Sequence, residues 1–127
     1  MNPAQCRYAK SHEWVRIEGD LAVVGITDHA QDALGDITFL ELPKTGGAVE
    51  AGKECGVVES VKAASDIYSP VSGTVAAVND RVVDAPEIIN KEPYAGGWLF
   101  KVKGVDAAAV AALMDAAAYD TFLESGK

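Results

Sequence analysis

The sequence is poor in the residues that support several common protein functions. Its 127 residues include two cysteines and two histidines, and they contain no Gly-x-Ser-x-Gly motif and no phosphate-binding glycine loop. Cys6 and Cys55 predict neither a disulfide framework nor a zinc site. His12 and His29 alone offer little basis for catalysis, so an enzyme is the least favoured class of protein.

Basic residues and long apolar runs are also scarce. Lysine and arginine total 11 against 19 aspartate and glutamate residues, which gives a formal net charge of −8. Nucleic-acid binding requires clustered basic side chains, and this sequence has none. No apolar run approaches the roughly 18 residues of a membrane span, and the first residues match neither a signal peptide nor a transit peptide. We therefore expect a cytoplasmic protein that binds neither nucleic acid nor membranes; a mitochondrial matrix protein would fit only if a leader had been removed.

Short β-like runs separated by glycine and proline turns dominate the chain. The runs that predict strands are 11–18, 21–26, 36–42, 57–61, 66–68, 74–78 and 98–103. A short helix is predicted over 27–35, because Thr27 and Asp28 suit its first turn and Gly35 suits its end. Residues 84–97 predict an ordered loop with at most one helical turn. Many short strands with few helices indicate a small β-sandwich or barrel.

The end of the chain changes from strand to helical spacing. Asp106 is a predicted N-cap, and Asp115 is predicted to cap a second short helix. Apolar residues recur between and after them at the spacing of a helical packing face: Val110, Leu113, Met114, Ala117, Tyr119, Phe122 and Leu123. We interpret the chain as one domain, with a core over about 8–104 and a helical segment over 105–125.

Lys62 is the most informative residue of the sequence. It follows the β-like run 57–61, and the residues after it are small and polar enough to turn before the next strand. This pattern places one amine at the tip of a hairpin, where a modifying enzyme can reach it. Such a lysine suits covalent attachment of a mobile cofactor, although most lysines in turns are solvated surface charges.

Several segments together resemble the glycine cleavage H-protein family in order and spacing over nearly the whole chain. The matching segments are 11–15 (Ser-His-Glu-Trp-Val), 25–31, 34–36, 41–43, 58–66 (Val-Glu-Ser-Val-Lys-Ala-Ala-Ser-Asp), 69–73, 93–94 and 97–99. The resemblance implies a barrel-sandwich hybrid, the flattened β-barrel of lipoyl and biotinyl domains, with a short inserted helix and C-terminal helices. It also implies lipoate bound as an amide to Lys62, with Glu59 and Gly73 recognised by the lipoylating enzymes.

The resemblance further implies a non-catalytic, monomeric carrier of the aminomethyl group of glycine. The carrier would collect this group from a pyridoxal-phosphate decarboxylase (P protein) and deliver it to a tetrahydrofolate aminomethyltransferase (T protein). A dihydrolipoyl dehydrogenase (L protein) would then reoxidise it. In the family a cleft beside the hairpin shelters the loaded arm, and Ser11, Glu13 and Asp66 occupy the matching positions. Ala33 stands where some members have a histidine, so no histidine role transfers to that position.

Three related functions compete with this interpretation. A biotinyl carrier usually has methionines on both sides of its lysine, whereas Val61 and Ala63 flank Lys62. Lipoyl domains of 2-oxo acid dehydrogenase acyltransferases normally have aspartate before the lysine and continue into a larger protein. A third alternative, a lipoate-relay carrier that donates lipoyl groups to other enzymes, lies within the same family and stays open at this point.

Overall fold

The computed structural model describes residues 3–125 and contains nine strands and five helices within that range. The strands are β1 (Arg7–Tyr8), β2 (Glu13–Glu18), β3 (Leu21–Ile26), β4 (Ile37–Glu41), β5 (Ala48–Val49), β6 (Glu54–Ser60), β7 (Ala64–Tyr68), β8 (Gly73–Val78) and β9 (Phe100–Lys103). The helices are α1 (Asp28–Leu34), α2 (Asp80–Asp84), α3 (Glu87–Lys91), α4 (Ala107–Ala111) and α5 (Ala116–Ser125).

The strands form two antiparallel sheets that enclose the main core. The larger sheet has the strand order β1-β2-β3-β9-β8-β5, and the smaller sheet has the order β4-β6-β7. Val24 and Val102 of the larger sheet and Val58 and Ile67 of the smaller sheet are buried in one apolar cluster. Facing apolar sides of two sheets exclude water from this space, which is the main source of stability of such a fold. The predicted mostly-β fold, with one inserted helix and C-terminal helices, is confirmed.

Helix α1 joins the two sheets and fixes the start of the smaller one. The Thr27 hydroxyl accepts a hydrogen bond from the Ala30 N–H at 3.2 Å, and Gly35 ends the helix with a φ of 78°. The predicted caps of this helix are thus confirmed. Asn90 then holds its end: the side-chain amide donates to the Gly35 carbonyl at 2.9 Å, and the amide oxygen accepts from the Ile37 N–H at 2.9 Å.

A second apolar cluster lies between the larger sheet and the C-terminal helix α5. Trp14 is fully buried in it, and its indole N–H donates to the Pro93 carbonyl at 3.0 Å. A Cβ atom at Gly25 would lie 2.6 Å from the Trp14 ring, so only glycine fits opposite this indole. Tyr119 of α5 stacks on Tyr8 of β1, with ring centroids 4.7 Å apart. This contact attaches the helix to the barrel.

Two predicted segments differ from the structure. Helix α2, which was not predicted, follows β8 directly, because the Asn79 side chain accepts from the Arg81 N–H and caps it. The helical pattern predicted after Asp106 is wrong for the residues between α4 and α5. Helix α4 ends at Ala111, Met114 forms a β-bridge with Tyr8, and Ala117 is exposed.

Both predicted caps of the C-terminal segment are confirmed. The Asp106 carboxylate accepts from the Ala108 N–H at 3.0 Å, and that of Asp115 accepts from the Ala118 N–H at 2.8 Å. The longest helix between residues 3 and 125 has ten residues, and no helix in this range is long and apolar enough to cross a bilayer.

Candidate functional site

The hairpin between β6 and β7 presents Lys62 on an ordered turn. The Ser60 hydroxyl accepts hydrogen bonds from the N–H groups of Lys62 at 3.2 Å and Ala63 at 3.1 Å. The Ser60 N–H donates to the Ala63 carbonyl at 2.8 Å, and the Val61 N–H donates to the Asp36 carbonyl at 3.1 Å. These bonds fix the backbone of the turn and tie it to the chain that leaves helix α1.

The Lys62 side chain is exposed and crosses the glycine that ends α1. Its Cε atom lies 3.3 Å from the position that a Cβ atom of Gly35 would occupy. Its ammonium group forms no hydrogen bond or ion pair with any residue from 3 to 125. A primary amine in this environment is available to an acylating enzyme, and its acylation would break no contact of this part of the chain.

Glu59 and Gly73, the two predicted recognition residues, lie in different sheets. Glu59 is exposed on β6, between Phe39 of β4 and Ala64 of β7 in the register of the smaller sheet. Gly73 begins β8 in the larger sheet. A Cβ atom at Gly73 would lie 2.4 Å from the Lys103 carbonyl oxygen, so packing against β9 by itself requires glycine at this position.

We expect Gly73→Ala to lower the free energy of unfolding by about 1–3 kcal/mol, the usual cost of overpacking. Gly96→Ala is the matched control, because its added methyl group would meet the flexible end of the Glu92 side chain at 3.2 Å. Urea unfolding of the two variants measures the difference. Loss of lipoylation in a Gly73→Ala protein of wild-type stability would contradict the packing explanation and favour direct recognition.

A buried carboxylate, Glu13, connects the larger sheet to the smaller one. Glu13 is the first residue of β2 and is only 2% exposed. The Ser11 hydroxyl donates to Oε1 of Glu13, and the Tyr68 N–H at the free edge of β7 donates to Oε2 at 3.1 Å. The structure therefore brings two of the three predicted cleft residues, Ser11 and Glu13, into direct contact.

Burial raises the pKa of Glu13 to about 7, although the hydrogen bonds from Ser11 and Tyr68 favour the charged form. Desolvation is the largest cause, because a carboxylate loses its hydration in a site this deeply buried. A carboxyl group with this pKa changes its charge near neutral pH, and any cation that reaches it stabilises the charged form. The neighbouring Cys55 thiol has a pKa raised by burial to about 12 and stays neutral.

The third predicted cleft residue, Asp66, lies apart from the hydrogen bonds that join the other two. Its exposed side chain lies on β7, two residues before Tyr68 and therefore on the same side of the strand. No hydrogen bond joins Asp66 to Ser11 or Glu13 within residues 3–125. The Tyr68 N–H was not predictable from the sequence, because a backbone donor leaves no trace in side-chain identity.

An open cavity of about 650 Å³ adjoins the buried carboxylate. Ser11 and Tyr68, the two donors to Glu13, lie in its wall. Most of the remaining wall is apolar and includes Pro70, Leu113 and Met114. The C-terminal segment thus contributes to the surroundings of the cleft.

Two antiparallel sheets that carry an exposed lysine on a β-hairpin define a lipoyl-like protein of the barrel-sandwich fold. The solved crystal structure of a glycine cleavage system H protein from Mycobacterium marinum is similar, with a TM-score of 0.87 and 39% sequence identity. The match covers 99% of this chain and 100% of that chain.

Sequence comparisons give the same result. The family model described as glycine cleavage H-protein matches residues 6–126. Glycine cleavage system H proteins from Escherichia coli O139:H28 and Klebsiella pneumoniae are 57% and 56% identical over 123 residues, which cover 96% of this chain and 95% of each relative. The chain belongs to the glycine cleavage H-protein family.

Proposed function

We propose that this chain is a lipoyl carrier of glycine cleavage, with lipoate attached as an amide to Lys62. The observation that carries the proposal is an exposed lysine amine, without a partner among residues 3–125, on a hydrogen-bonded hairpin turn. An enzyme that acylates one lysine selectively gains from a fixed backbone, because an ordered turn costs less conformational entropy to bind than a flexible loop. When bound, lipoate supplies a disulfide that accepts the aminomethyl group of glycine and is reduced by doing so.

The residues around Lys62 fit an attached arm. Gly35 has no side chain to obstruct the lysine where it crosses the end of α1. Val61 is 68% exposed beside it, which leaves an apolar surface next to the attachment point. Glu59 is exposed on the same hairpin and is available to the lipoylating enzymes.

The hairpin of Lys62 and the Tyr68 N–H that contacts Glu13 lie at opposite ends of β7. Tyr68 follows Ala64 by four residues on β7, a distance of about 13 Å at 3.3 Å per residue. An extended lipoyl-lysine arm spans roughly 14 Å from the lysine Cα atom, at about 1.25 Å of reach per covalent bond. Lys62 lies on the turn two residues before Ala64, so the arm and this path are of comparable length, and we propose that the end of the arm meets the carboxylate held by the Tyr68 N–H and the Ser11 hydroxyl.

Glu13 would hold the cationic amine of the cargo. A protonated amine beside the carboxylate would restore the electrostatic stabilisation that burial removes, and it would form a charge-assisted hydrogen bond. Asp66 lies between the hairpin and Tyr68 on the same side of β7, where it would add negative charge along the path of the arm. The aminomethyl group would thus be sheltered from water between partners.

The partners in this proposal are the P, T and L proteins and the lipoylating enzymes. The chain itself would perform no bond change and would act as a non-catalytic subunit. Its advantage is tethering, because a cargo held on a short arm meets each partner site at high effective concentration. The three strands of the smaller sheet carry four acidic residues and no lysine or arginine: Glu41, Glu54, Glu59 and Asp66. This charge favours basic partner surfaces.

A reconstitution experiment tests the proposal. The purified chain is treated with a lipoate ligase and lipoate, and intact mass spectrometry is expected to show the addition of one lipoyl group, mapped to Lys62. With P, T and L proteins, glycine, tetrahydrofolate and NAD, the lipoylated chain is expected to support NADH formation, and the unmodified chain is not. A biotin ligase with biotin is the matched control and should add no mass. Failure of the lipoylated chain to support turnover would contradict the proposal.

A further inference from the structure

The C-terminal helix contacts the segment of the cleft through one buried hydroxyl group. The Tyr119 hydroxyl lies 2.7 Å from Nδ1 of His12 and 2.9 Å from the Thr27 hydroxyl. The Tyr119 side chain is fully buried, and its ring lies parallel to that of Tyr8 at an angle of 6°. Its position is therefore fixed by stacking on one side and by two polar contacts at the hydroxyl.

His12 has a backbone conformation that is uncommon for residues other than glycine. Its φ of 73° makes it the one non-glycine residue with a positive φ between residues 3 and 125. It ends the turn between β1 and β2: the His12 N–H donates to the Ala9 carbonyl at 3.0 Å, and the Ala9 N–H donates to the Glu13 carbonyl at 2.9 Å. This pattern is a tight turn that ends in a left-handed residue, a position at which glycine is usual.

The chemistry of the His12 side chain supplies a reason for this exception. A residue that breaks a local backbone preference persists where the surrounding structure holds it, and such positions occur most often at functional sites. Here the imidazole contacts the Tyr119 hydroxyl, and the two neighbours of His12 in the chain are Ser11 and Glu13. Ser11 lies inside the same turn, and its hydroxyl donates to Glu13.

We propose that Tyr119 and His12 form a positioning pair that holds the turn of residues 9–13 so that the Ser11 hydroxyl stays on the Glu13 carboxylate. The C-terminal helix is then part of the cleft and not only a cover for the second apolar cluster. Neither Tyr119 nor His12 touches the cargo in this arrangement. The inference rests on the proposed function for its biological meaning, whereas its geometry is testable on the unmodified chain.

Tyr119→Phe is the variant that isolates the hydroxyl, because phenylalanine keeps the stack on Tyr8. Tyr8→Phe is the matched control: it removes a hydroxyl from the other ring of the same stack, and that hydroxyl donates to the Pro3 carbonyl and not to the turn. The readout is the pKa of the Glu13 carboxyl, followed by carbon-13 NMR on the unmodified chain. Other titratable groups near Glu13 are Cys55, Tyr119 and the His12–His29 pair, and carboxyl-specific NMR separates Glu13 from them.

We expect the Glu13 pKa to be higher in Tyr119→Phe than in the wild type and Tyr8→Phe, because a displaced Ser11 no longer favours the charged carboxylate. In loaded carrier, Tyr119→Phe is expected to release its aminomethyl group severalfold faster. An unchanged Glu13 pKa in Tyr119→Phe would overturn the inference, since a purely structural tyrosine would not affect this carboxyl group.

A second variant covers a failure of Tyr119→Phe to fold. His12→Gly suits the positive φ and removes only the ring, so the same rise in the Glu13 pKa is expected, and its absence would equally overturn the inference. The proposed cleft fails in a different way: if Glu13→Gln loses cargo no faster than the wild type, Glu13 does not hold the cargo, whatever the NMR titration shows.

Discussion

Lys62→Arg is expected to abolish lipoylation and glycine-dependent turnover while leaving the fold intact. Arginine retains the positive charge and the length of the side chain, but its guanidinium group does not form the amide that lipoate requires. The Lys62 side chain is exposed and its ammonium has no partner among residues 3–125, so no stabilising contact is lost. The free energy of unfolding should therefore stay within about 0.5 kcal/mol of the wild type.

Intact mass spectrometry and NADH formation measure these effects. After treatment with a lipoate ligase, Lys62→Arg should show no added mass, and the reconstituted system should run at its background rate. Lys53→Arg is the matched control, because Lys53 is also exposed but lies outside the hairpin; it should be lipoylated and support turnover normally. Added lipoyl mass on Lys62→Arg would place the attachment at another lysine and would remove the basis of the carrier proposal.

Local chemistry explains which parts of the fold were predictable from sequence. Thr27, Asp106 and Asp115 are short polar residues that precede helical patterns, and each accepts a hydrogen bond from the N–H group predicted by its position as a cap. The strands around Lys62 were likewise predictable, because β-branched and apolar runs bounded by turn residues leave few alternatives. These signals lie within a few residues of the features that they specify.

The parts that were not predictable depend on contacts between distant segments. Met114 fits a helical stripe by its spacing, but its backbone pairs with Tyr8, more than a hundred residues earlier, and pairing at that separation leaves no local pattern. The sequence around Gly73 indicates a turn glycine, whereas in the structure the Lys103 carbonyl on β9 leaves no room for a Cβ atom at this position. In both cases tertiary packing decides what the local sequence leaves open.

The candidate site also combines features that were predictable from the sequence with features that were not. Lys62 stands out by its place in a hairpin, yet only the family resemblance distinguishes it from the many lysines in ordinary turns. Glu13 was identified only through the position that the family resemblance assigns to it, and the structure shows that it is buried. Its link to the second sheet through the Tyr68 N–H depends on how the sheets pack, 55 residues apart along the chain.

Glu13→Gln is expected to stabilise the unloaded protein above neutral pH. The pKa of Glu13 is raised from 4.5 to about 7 in the folded state, so the neutral carboxyl stabilises the fold below pH 4.5 and this contribution is lost as the pH rises through 7. A shift of that size corresponds to about 3 kcal/mol. Glutamine keeps the shape without the charge, so the variant should match the wild type near pH 4 and exceed it at pH 8.

Urea unfolding at a series of pH values measures this difference. Glu50→Gln is the matched control, because Glu50 is exposed, and neutralising an exposed carboxylate should change stability by no more than about 0.5 kcal/mol at any pH. A stability difference between Glu13→Gln and the wild type that does not vary with pH would contradict the assignment of a raised pKa to this carboxyl group.

The same substitution is expected to damage the loaded carrier. A neutral amide cannot pair with the ammonium group of the cargo, and the loss of a hydrogen bond between charged partners costs about 1.5–3 kcal/mol. Docking of the loaded arm should weaken roughly tenfold to a hundredfold, and the release of formaldehyde and ammonia should accelerate accordingly. Glu13→Gln should thus raise the stability of the unloaded protein and lower its retention of cargo. This combination is expected where a buried charge destabilises the fold but is needed for binding. If a stable Glu13→Gln protein retains its cargo as well as the wild type, this carboxylate has only a structural role between the sheets.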